Sequence, residues 1–195
     1  MTTQKQQTRE RLLEVAEEVF AQRGYYDAAV DEIVEKSGMS KGAVYFHFPS
    51  KERLFLAVMD QLGKRLIHRI EREIAPLTDP VRRLDMAMET TVRTLTKHKS
   101  LAKLLLVKGY SMGPAFAKRR QEIMGRFAEM TEGLMREAQG ESARVDAGLA
   151  ALAWQGAISE TVVRWLETGR PHPVEEALPT LRAMLHGALG IGEAS

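Results

Sequence analysis

The side chains best suited to chemistry follow one another in the run SKGAVYFH, which mixes hydroxyl, ammonium, phenol and imidazole groups. Ser40 can cap a helix that begins at Lys41 by accepting a hydrogen bond from a backbone N–H just downstream. The remaining free N–H groups at that helix start would suit a phosphate. Gly42 has no side chain and permits close approach, while Tyr45 and His47 stay on the outer face. These groups favour hydrogen bonding to nucleic acid.

A helix-turn-helix is the element expected to position these groups. The segment VDEIVEKSGMSKGAVYFHF places two short helical stretches on either side of Gly38, a residue that reaches positive φ without a Cβ clash. Ile33, Val44 and Phe48 would face inwards and form a small core. We therefore predict that the second helix is presented to the major groove of DNA.

The stretch RERLLEVAEEVFAQRGYYDAAVDEIVEKSGMSKGAVYFHFPSKERLFLAV closely resembles the TetR family of bacterial regulators. The resemblance implies a dimeric repressor that binds double-stranded operator DNA and releases it when a small molecule binds. It also implies DNA contacts beside Ser40: bases or the adjacent backbone for Lys41, Gly42 and Tyr45, and phosphates for His47 and Lys51.

The chain departs from the TetR pattern at Ala28 and Ala29, where the family usually has a Thr or Ser. In the family that residue caps the second helix and touches a phosphate. Asp27 offers a substitute cap. The phosphate contact usually made at this point is therefore not expected here.

Four of the predicted DNA-binding residues also have a structural interpretation. Tyr45 could complete the small core of the head, as helix aromatics often do. Lys41 and Lys51 could be solvated surface lysines. His47 could make an internal hydrogen bond through either ring nitrogen. The surrounding motif favours the DNA-binding interpretation of Tyr45, and positions at two helix starts favour it for Lys41 and Lys51, whereas both interpretations of His47 stay open.

An apolar row that contains one cation predicts a ligand site further along the chain. Phe116, Arg120 and Phe127 share one face of the helix expected after residue 114. Arg120 would clamp an anion, unless its stem covers apolar surface and its guanidinium reaches water. A second row, around Trp154, suits either a pocket or a plain core. The predicted ligand-binding residues are Met88, Leu104, Leu105, Phe116, Arg120, Phe127, Trp154, Ile158 and Trp165.

Two further stretches, KRRQEIMGRF and GAISETVVRWLETG, are similar to the acyl-CoA-responsive repressors that govern fatty-acid breakdown. That similarity implies an apolar acyl chamber, with basic residues such as Arg119 or Arg120 near the CoA phosphates. The expected effector is therefore a small amphiphile, with an acyl-CoA first and a simpler apolar acid second.

Small residues and a leucine repeat predict a dimer seam near the end of the chain. Ala153 and Gly156 leave room for close helix approach, while Leu178, Leu181 and Leu185 repeat at nearly heptad spacing. In TetR-like proteins the last two helices form a four-helix seam with their copies. We expect a homodimer that reads a palindromic operator, because symmetry doubles the contacts of one short helix.

Apolar residues recur three or four apart along almost the whole chain, which predicts an all-α fold of about nine helices. A head of three helices (residues 1–50) would precede a ligand-binding and dimerisation body (residues 51–195), with helix 51–74 connecting the two. A proline inside the last apolar row predicts a kink or a separate first turn. The other expected helices are Thr8–Gln22, Val30–Lys36, Lys41–Phe46, a helix from Pro80, Leu101–Lys108, Pro114–Gln139, Ser142–Thr168 and Pro179–Leu189.

The composition is that of a globular protein, with 44% hydrophobic and 28% charged residues in a chain of 195. The net charge of +2 says little about nucleic acid, because counterion release depends on local phosphate contacts. There is no cysteine, so thiol chemistry is excluded, and neither a cofactor nor a metal is expected. The sequence contains no signal-peptide pattern or bilayer-spanning run, which predicts a cytoplasmic protein without membrane partners.

Two other classes of function remain as alternatives. A ligand-independent DNA-binding protein would have the same head but a solid body with no pocket. A helical enzyme is the second alternative, although the sequence offers no phosphate-cradling loop, nucleophile elbow or metal-protease spacing.

Overall fold

The computed structural model describes residues 4–107, 113–140 and 144–191. Within these ranges the backbone forms nine α-helices, one π-helical turn and one 3₁₀ turn, without a β-strand. The all-α prediction is therefore confirmed. The helices are α1 (Gln4–Asp27), α2 (Val30–Ser37), α3 (Lys41–His47), α4 (Lys51–Ile74), α5 (Pro80–Lys97), α6 (Lys99–Ala102), α7 (Pro114–Gln139), α8 (Ala147–Thr168) and α9 (Leu178–Leu189).

Helix starts follow capping side chains. The Asp79 carboxylate accepts a hydrogen bond from the N–H of Val81 at 2.9 Å, with a proline in the first turn of α5. Asp146 caps α8 by accepting from the N–H of Leu149 at 2.7 Å, so α8 begins at Ala147. The predicted start of this helix, Ser142, lies outside the described residues.

Backbone geometry shapes the end of α1 and the start of α9. α1 runs on to Asp27, but Gly24 within it adopts φ 78°, so the chain bends where the sequence predicted an end. A 3₁₀ turn over Val174–Ala177 precedes α9. This confirms the separate first turn that the internal proline predicted.

α4 is shared between the two halves of the molecule. Its first turns bury Leu54, Phe55 and Val58, and the ring of Phe55 meets that of Phe20 from α1 edge-on, with centroids 4.9 Å apart. Further along, the same helix packs on α5 and α7. One continuous helix therefore connects the body to the head, so a structural change in the body can move the head.

α4 packs tightly against α7 at Gly63. A Cβ atom added there would lie 2.8 Å from Cγ2 of Ile123, a distance that real Cβ atoms do not reach. Gly63 and Ile123 are both buried, so the two helices touch through backbone and one branched side chain. Any larger residue at this point would push α4 away from α7.

An ion cluster fastens the same two helices one turn earlier. The Asp60 carboxylate on α4 accepts from Arg126 of α7 at 2.6 Å, and lies 3.0 Å from Lys64 and 3.6 Å from Arg119. Burial would raise the pKa of Asp60, but the hydrogen bonds from Arg126 and Lys64 outweigh it and lower this pKa overall. The carboxylate therefore stays charged and holds α4 to α7.

Candidate nucleic-acid interface and effector cavity

The outer helix of the helix-turn-helix is capped as predicted. The Oγ atom of Ser40 accepts a hydrogen bond from the N–H of Ala43 at 3.2 Å, which starts α3 at Lys41. Gly38 ends α2 at φ 69° and makes the turn between the two helices. Val44 is buried in the head core, so the opposite side of this short helix faces outwards.

Gly42 lies on the exposed side of α3 with open space around it. Among the described atoms, only Ser40 Oγ, at 4.0 Å, comes near a Cβ built on Gly42, and the φ of Gly42 is not in the left-handed region. The fold itself therefore does not require glycine at this position. A requirement for glycine would have to come from something that binds outside, such as DNA.

Two adjacent aromatic side chains project from α3. Tyr45 is 40% exposed and Phe46 is 72% exposed. Sequence reasoning missed Phe46, although assigning Val44 and Phe48 to the core already placed it opposite them. The ring of Phe46 has the ammonium of Lys5 from α1 over it at 5.2 Å, so the exposed aromatic surface adjoins a positive charge.

The two lysines predicted to meet DNA already have protein partners. Lys41 forms an ion pair with Asp31 of α2 at 2.7 Å. Lys51 donates to the carbonyl of Tyr26 at 2.9 Å, and its ammonium lies 4.9 Å from the ring centroid of Tyr25. Lys51 thus ties the end of α1 to the start of α4, a structural role that the sequence did not reveal.

The half-buried ring of His47 lies between its aromatic neighbours, with centroids 5.5 Å from Phe46 and 6.5 Å from Phe48. Aromatic packing therefore fixes the imidazole at the end of α3. Both its predicted phosphate contact and the structural alternative stay open in this geometry.

Phe116 lies outside the cavity that it was predicted to line. Its ring lies 5.0 Å from that of Tyr25 and 5.5 Å from that of Phe55, where α7 meets the head. It is buried there, away from the cavity described next. Helical periodicity assigned its face correctly but could not tell which neighbour that face would meet.

An apolar cavity of about 100 Å³ lies inside the body. Predicted residues Met88, Leu105, Phe127, Trp154 and Ile158 all line it. α4 contributes to the same wall, which the sequence analysis did not foresee. The remaining lining residues are Leu62, Gly63, Leu66, Leu84, Ala87, Thr91, Thr94, Leu95, His98, Ala102, Leu106, Met124, Met130, Thr131, Gln155 and Ser159.

Charge is nearly absent from the cavity wall. Of the described residues that line it, only His98 has an ionisable side chain, and His98 is an exposed residue at the end of α5. Polar atoms come from Thr, Ser and Gln side chains instead. In the part of the chain that the structure describes, no group of three or more His, Asp or Glu side chains could hold a metal ion. The cavity therefore suits an apolar molecule with few polar atoms.

Arg120 does not line this cavity, which corrects the predicted clamp inside it. Its Nε donates to the carbonyl of Leu105 at 3.0 Å, and its side chain lines a more open cleft next door. The cleft and the cavity share four residues: Leu106, Met124, Gln155 and Ser159. Arg119 instead pairs with Asp60 and Glu122. A charged group near Arg120 would thus lie outside the apolar chamber but adjacent to it.

Trp165 and Leu104 are the two remaining residues of the predicted ligand site. Trp165 is buried away from the cavity, with the ammonium of Lys99 over its ring at 4.5 Å. Trp165 therefore does not line the same cavity as Trp154. The side chain of Leu104 lies outside the described part of the chain.

The predicted dimer residues divide into two sets. Ala153 and Gly156 are exposed on α8, and Leu178 is half-buried. Leu181 and Leu185 are buried in the chain's own core, so their assignment to the subunit seam is corrected. The exposed apolar positions of α8 and α9 are Leu149, Leu152, Ala153, Gly156, Ala183, Met184, Gly187 and Ala188.

Known proteins resemble this chain both in the head alone and over nearly its full length. The family described as "Bacterial regulatory proteins, tetR family" matches residues 12–58, which span most of α1, all of α2 and α3, and the first turns of α4. The regulator YdgC of Bacillus subtilis is 27% identical over 190 residues, which cover 95% of each chain. The transcriptional activator FasR of Mycolicibacterium smegmatis is 34% identical over 109 residues, or 56% of this chain and 50% of FasR.

A solved structure shares the fold of most of the chain. FadR of Bacillus subtilis, crystallised with stearoyl-CoA, superimposes with a TM-score of 0.81. The match covers 92% of this chain and 98% of FadR at 20% sequence identity. In the described part of this chain, no helix has the length and apolar character needed to cross a bilayer.

Proposed function

The chain belongs to the TetR family of bacterial transcriptional regulators, and on that premise we propose that it is a dimeric repressor released from a palindromic operator by an amphiphilic effector. The observation that carries this proposal is the position of α4. The helix begins directly after the helix-turn-helix, and its middle turns form part of the wall of the effector cavity. One element is therefore available to report occupancy of the body to the head.

The DNA-binding part of the proposal rests on the outer face of α3. Tyr45 and Phe46 are exposed, Gly42 leaves the helix start open, and Lys41 lies at the same end. Exposed aromatics next to a side-chain-free helix start suit the floor of a major groove. We propose that these four residues meet the operator, with His47 and Lys51 at the flanking phosphates.

The effector part of the proposal rests on the cavity and the cleft beside it. An acyl chain would occupy the apolar cavity, and the charged portion of the molecule would lie in the cleft that contains Arg120. Met88, Met124 and Met130 line the cavity, and their flexible side chains can yield to a long chain. The fold shared with a regulator solved with stearoyl-CoA supports the same class of ligand.

The dimer would form through the exposed apolar stripe of α8 and α9, which runs from Leu149 to Gly156 and from Ala183 to Ala188. Small residues at Ala153, Gly156 and Gly187 permit close helix packing, and Met184 supplies apolar area at the centre. Two copies joined there would present two α3 helices to one duplex. We propose that the protein acts in the cytoplasm, where operator DNA and acyl-CoA both occur.

DNA selection tests the head. The purified protein would be incubated with a pool of random-sequence duplex DNA, and the bound fraction would be amplified and sequenced. We expect an inverted repeat with half-sites about one helical turn apart. A variant with Tyr45→Ala and Phe46→Ala should recover no enriched sequence. Enrichment of a single unrepeated site would contradict the two-fold arrangement.

Titration of the operator complex tests the effector. Fluorescence anisotropy would follow release of a labelled operator by long-chain acyl-CoAs and by the matching free acids. Arg120→Met should weaken release by the CoA esters if the charged group lies in the cleft. If no compound releases the operator, the ligand-independent class of DNA-binding protein gains support. A promoter–reporter assay decides the sign of regulation, since FasR is described as an activator.

A further inference from the structure

The effector cavity contains a buried hydroxyl to which the described part of the chain offers no hydrogen bond. Thr94 lines the cavity from α5, and its Oγ1 atom is buried with no partner among the described residues. Two other cavity threonines are satisfied, because Thr91 donates to the carbonyl of Ala87 at 2.7 Å and Thr131 to that of Phe127 at 2.8 Å. Such bonding to the preceding helical turn is the usual arrangement for a threonine in a helix. Thr94 departs from it.

An unsatisfied hydroxyl destabilises the folded state, because the group loses its water without gaining a partner. Among the described buried side-chain atoms that lack a partner, the Thr94 oxygen is the only one on a residue of the cavity wall. Valine would fill the same volume without this cost. A hydroxyl at this position is therefore explained if a bound molecule supplies the missing acceptor.

The surroundings restrict that acceptor to an uncharged group. Ser159 and Gln155 face the cavity from α8, and the Gln155 amide already donates to the carbonyl of Met124 at 3.1 Å. Apart from His98 at the exposed end of α5, no described lining residue could neutralise an anion. A carboxylate at Thr94 would lose its hydration and gain no cation.

We propose that Thr94 donates a hydrogen bond to an uncharged oxygen, such as the carbonyl of a ketone, ester or thioester, in the otherwise apolar part of the effector that enters the cavity. This inference rests on the proposed function, since it specifies what the effector cavity binds. It predicts that the cavity distinguishes two classes of compound. The carbonyl of an acylated compound can enter the cavity, whereas the carboxylate of a free fatty acid must stay outside.

The test compares three probes with equal numbers of carbon atoms: methyl hexyl ketone, octanoate and octane. Binding would be followed by the fluorescence of Trp154, which lines the cavity, in a Trp165→Phe background. We expect the ketone to bind about tenfold more tightly than octane, which is the size expected of one net hydrogen bond. Octanoate should bind more weakly than the ketone.

Thr94→Val should affect both thermal stability and ligand preference. It should raise the melting temperature of the ligand-free protein and abolish the preference for ketone over octane. Thr161→Val is the matched control, because the Thr161 hydroxyl lies outside the cavity and donates to the carbonyl of Ala157 at 2.8 Å. The control should not raise the melting temperature, and it should keep the preference for the ketone.

Several outcomes would overturn the inference. Equal binding of ketone and octane by the wild type would refute the hydrogen bond while leaving an apolar effector in place. Binding of octanoate as tight as that of the ketone would refute the exclusion of charge. Loss of thermal stability in Thr94→Val would show that the hydroxyl has a partner within the protein. If none of the three probes binds, both this inference and the proposed acyl-binding role of the cavity fail, but DNA selection by the head is unaffected.

Discussion

Lys41 and Asp31 form an ion pair across the turn of the helix-turn-helix, with 2.7 Å between Nζ and Oδ1. The hydrogen bond to Asp31 raises the pKa of the Lys41 amine, so the side chain stays protonated throughout the neutral range. Both side chains are largely exposed, and the pair lies at the end of α3 proposed to meet DNA. On bound DNA the Asp31 carboxylate would therefore compete with phosphate or base acceptors for the same ammonium.

Asp31→Asn should tighten DNA binding. The substitution removes the competing carboxylate and one repelling charge, and we expect roughly a three- to tenfold gain in affinity at low salt. Glu35→Gln is the control, since it removes one negative charge from the same helix α2 without an ion pair to Lys41. Anisotropy titrations over a range of salt concentrations would measure both variants. Equal gains in the two would show that net charge alone is responsible.

Gly42→Ala should weaken operator binding without destabilising the protein. The Cβ finds open space in the free chain, and alanine is the better helix former by up to about 1 kcal/mol. On DNA the added methyl group would occupy the proposed close approach, and we expect an affinity loss of about tenfold or more. Gly125→Ala in α7 is the matched control, because its Cβ also meets open space. A drop in melting temperature for Gly42→Ala would contradict this account.

Asp60→Asn should loosen α4 from α7 at neutral pH. The folded-state pKa of Asp60 lies below its unfolded value, so the stabilisation is present above the unfolded pKa and is lost as pH falls through the folded pKa. We expect a loss of about 1–3 kcal/mol at pH 7, with the wild type and the variant converging below about pH 4. Thermal unfolding across pH would measure this difference. Glu122→Gln, which breaks a more exposed pair with Arg119, should cost less at every pH.

Met184→Glu should convert the dimer into monomers that still fold. Met184 is 61% exposed in the single chain, so a charge there opposes association and leaves the core intact. Gln121→Glu adds one carboxylate to the exposed side of α7 and should remain dimeric. Sedimentation velocity gives the oligomeric state, and circular dichroism confirms the helices. Leu185→Glu would be a poor probe of the seam, because burying its charge unfolds the chain itself.

The fold and five of the 21 described residues that line the cavity could be predicted because they depend on local patterns. Helical spacing, capping by Asp79 and the turn at Gly38 are each decided within a few residues. The same spacing placed Met88 and Trp154 on inward faces, and both line the cavity.

The errors concern which partner an inward face meets. Phe116 and Trp154 follow the same rule of spacing, yet one contacts the head and the other the cavity. That difference depends on how α7 and α8 cross their neighbours, which a single sequence does not encode locally. Leu185 illustrates the same point, since a heptad-like repeat fits an internal core as well as a subunit seam.

The tight contact between Gly63 and Ile123 gives α4 the proportions of a lever with a fulcrum near its middle. Leu62 and Leu66, which touch the cavity, lie within about 4.5 Å of that fulcrum along the axis, whereas Lys51 lies about 18 Å away. A rotation of about 5° would move the cavity side by about 0.4 Å and the head side by about 1.6 Å. The displacement at the head is thus about four times that at the cavity, and the available force is smaller by the same factor. A small displacement caused by a ligand would therefore move the head off an operator only if the effector strongly prefers the rotated state.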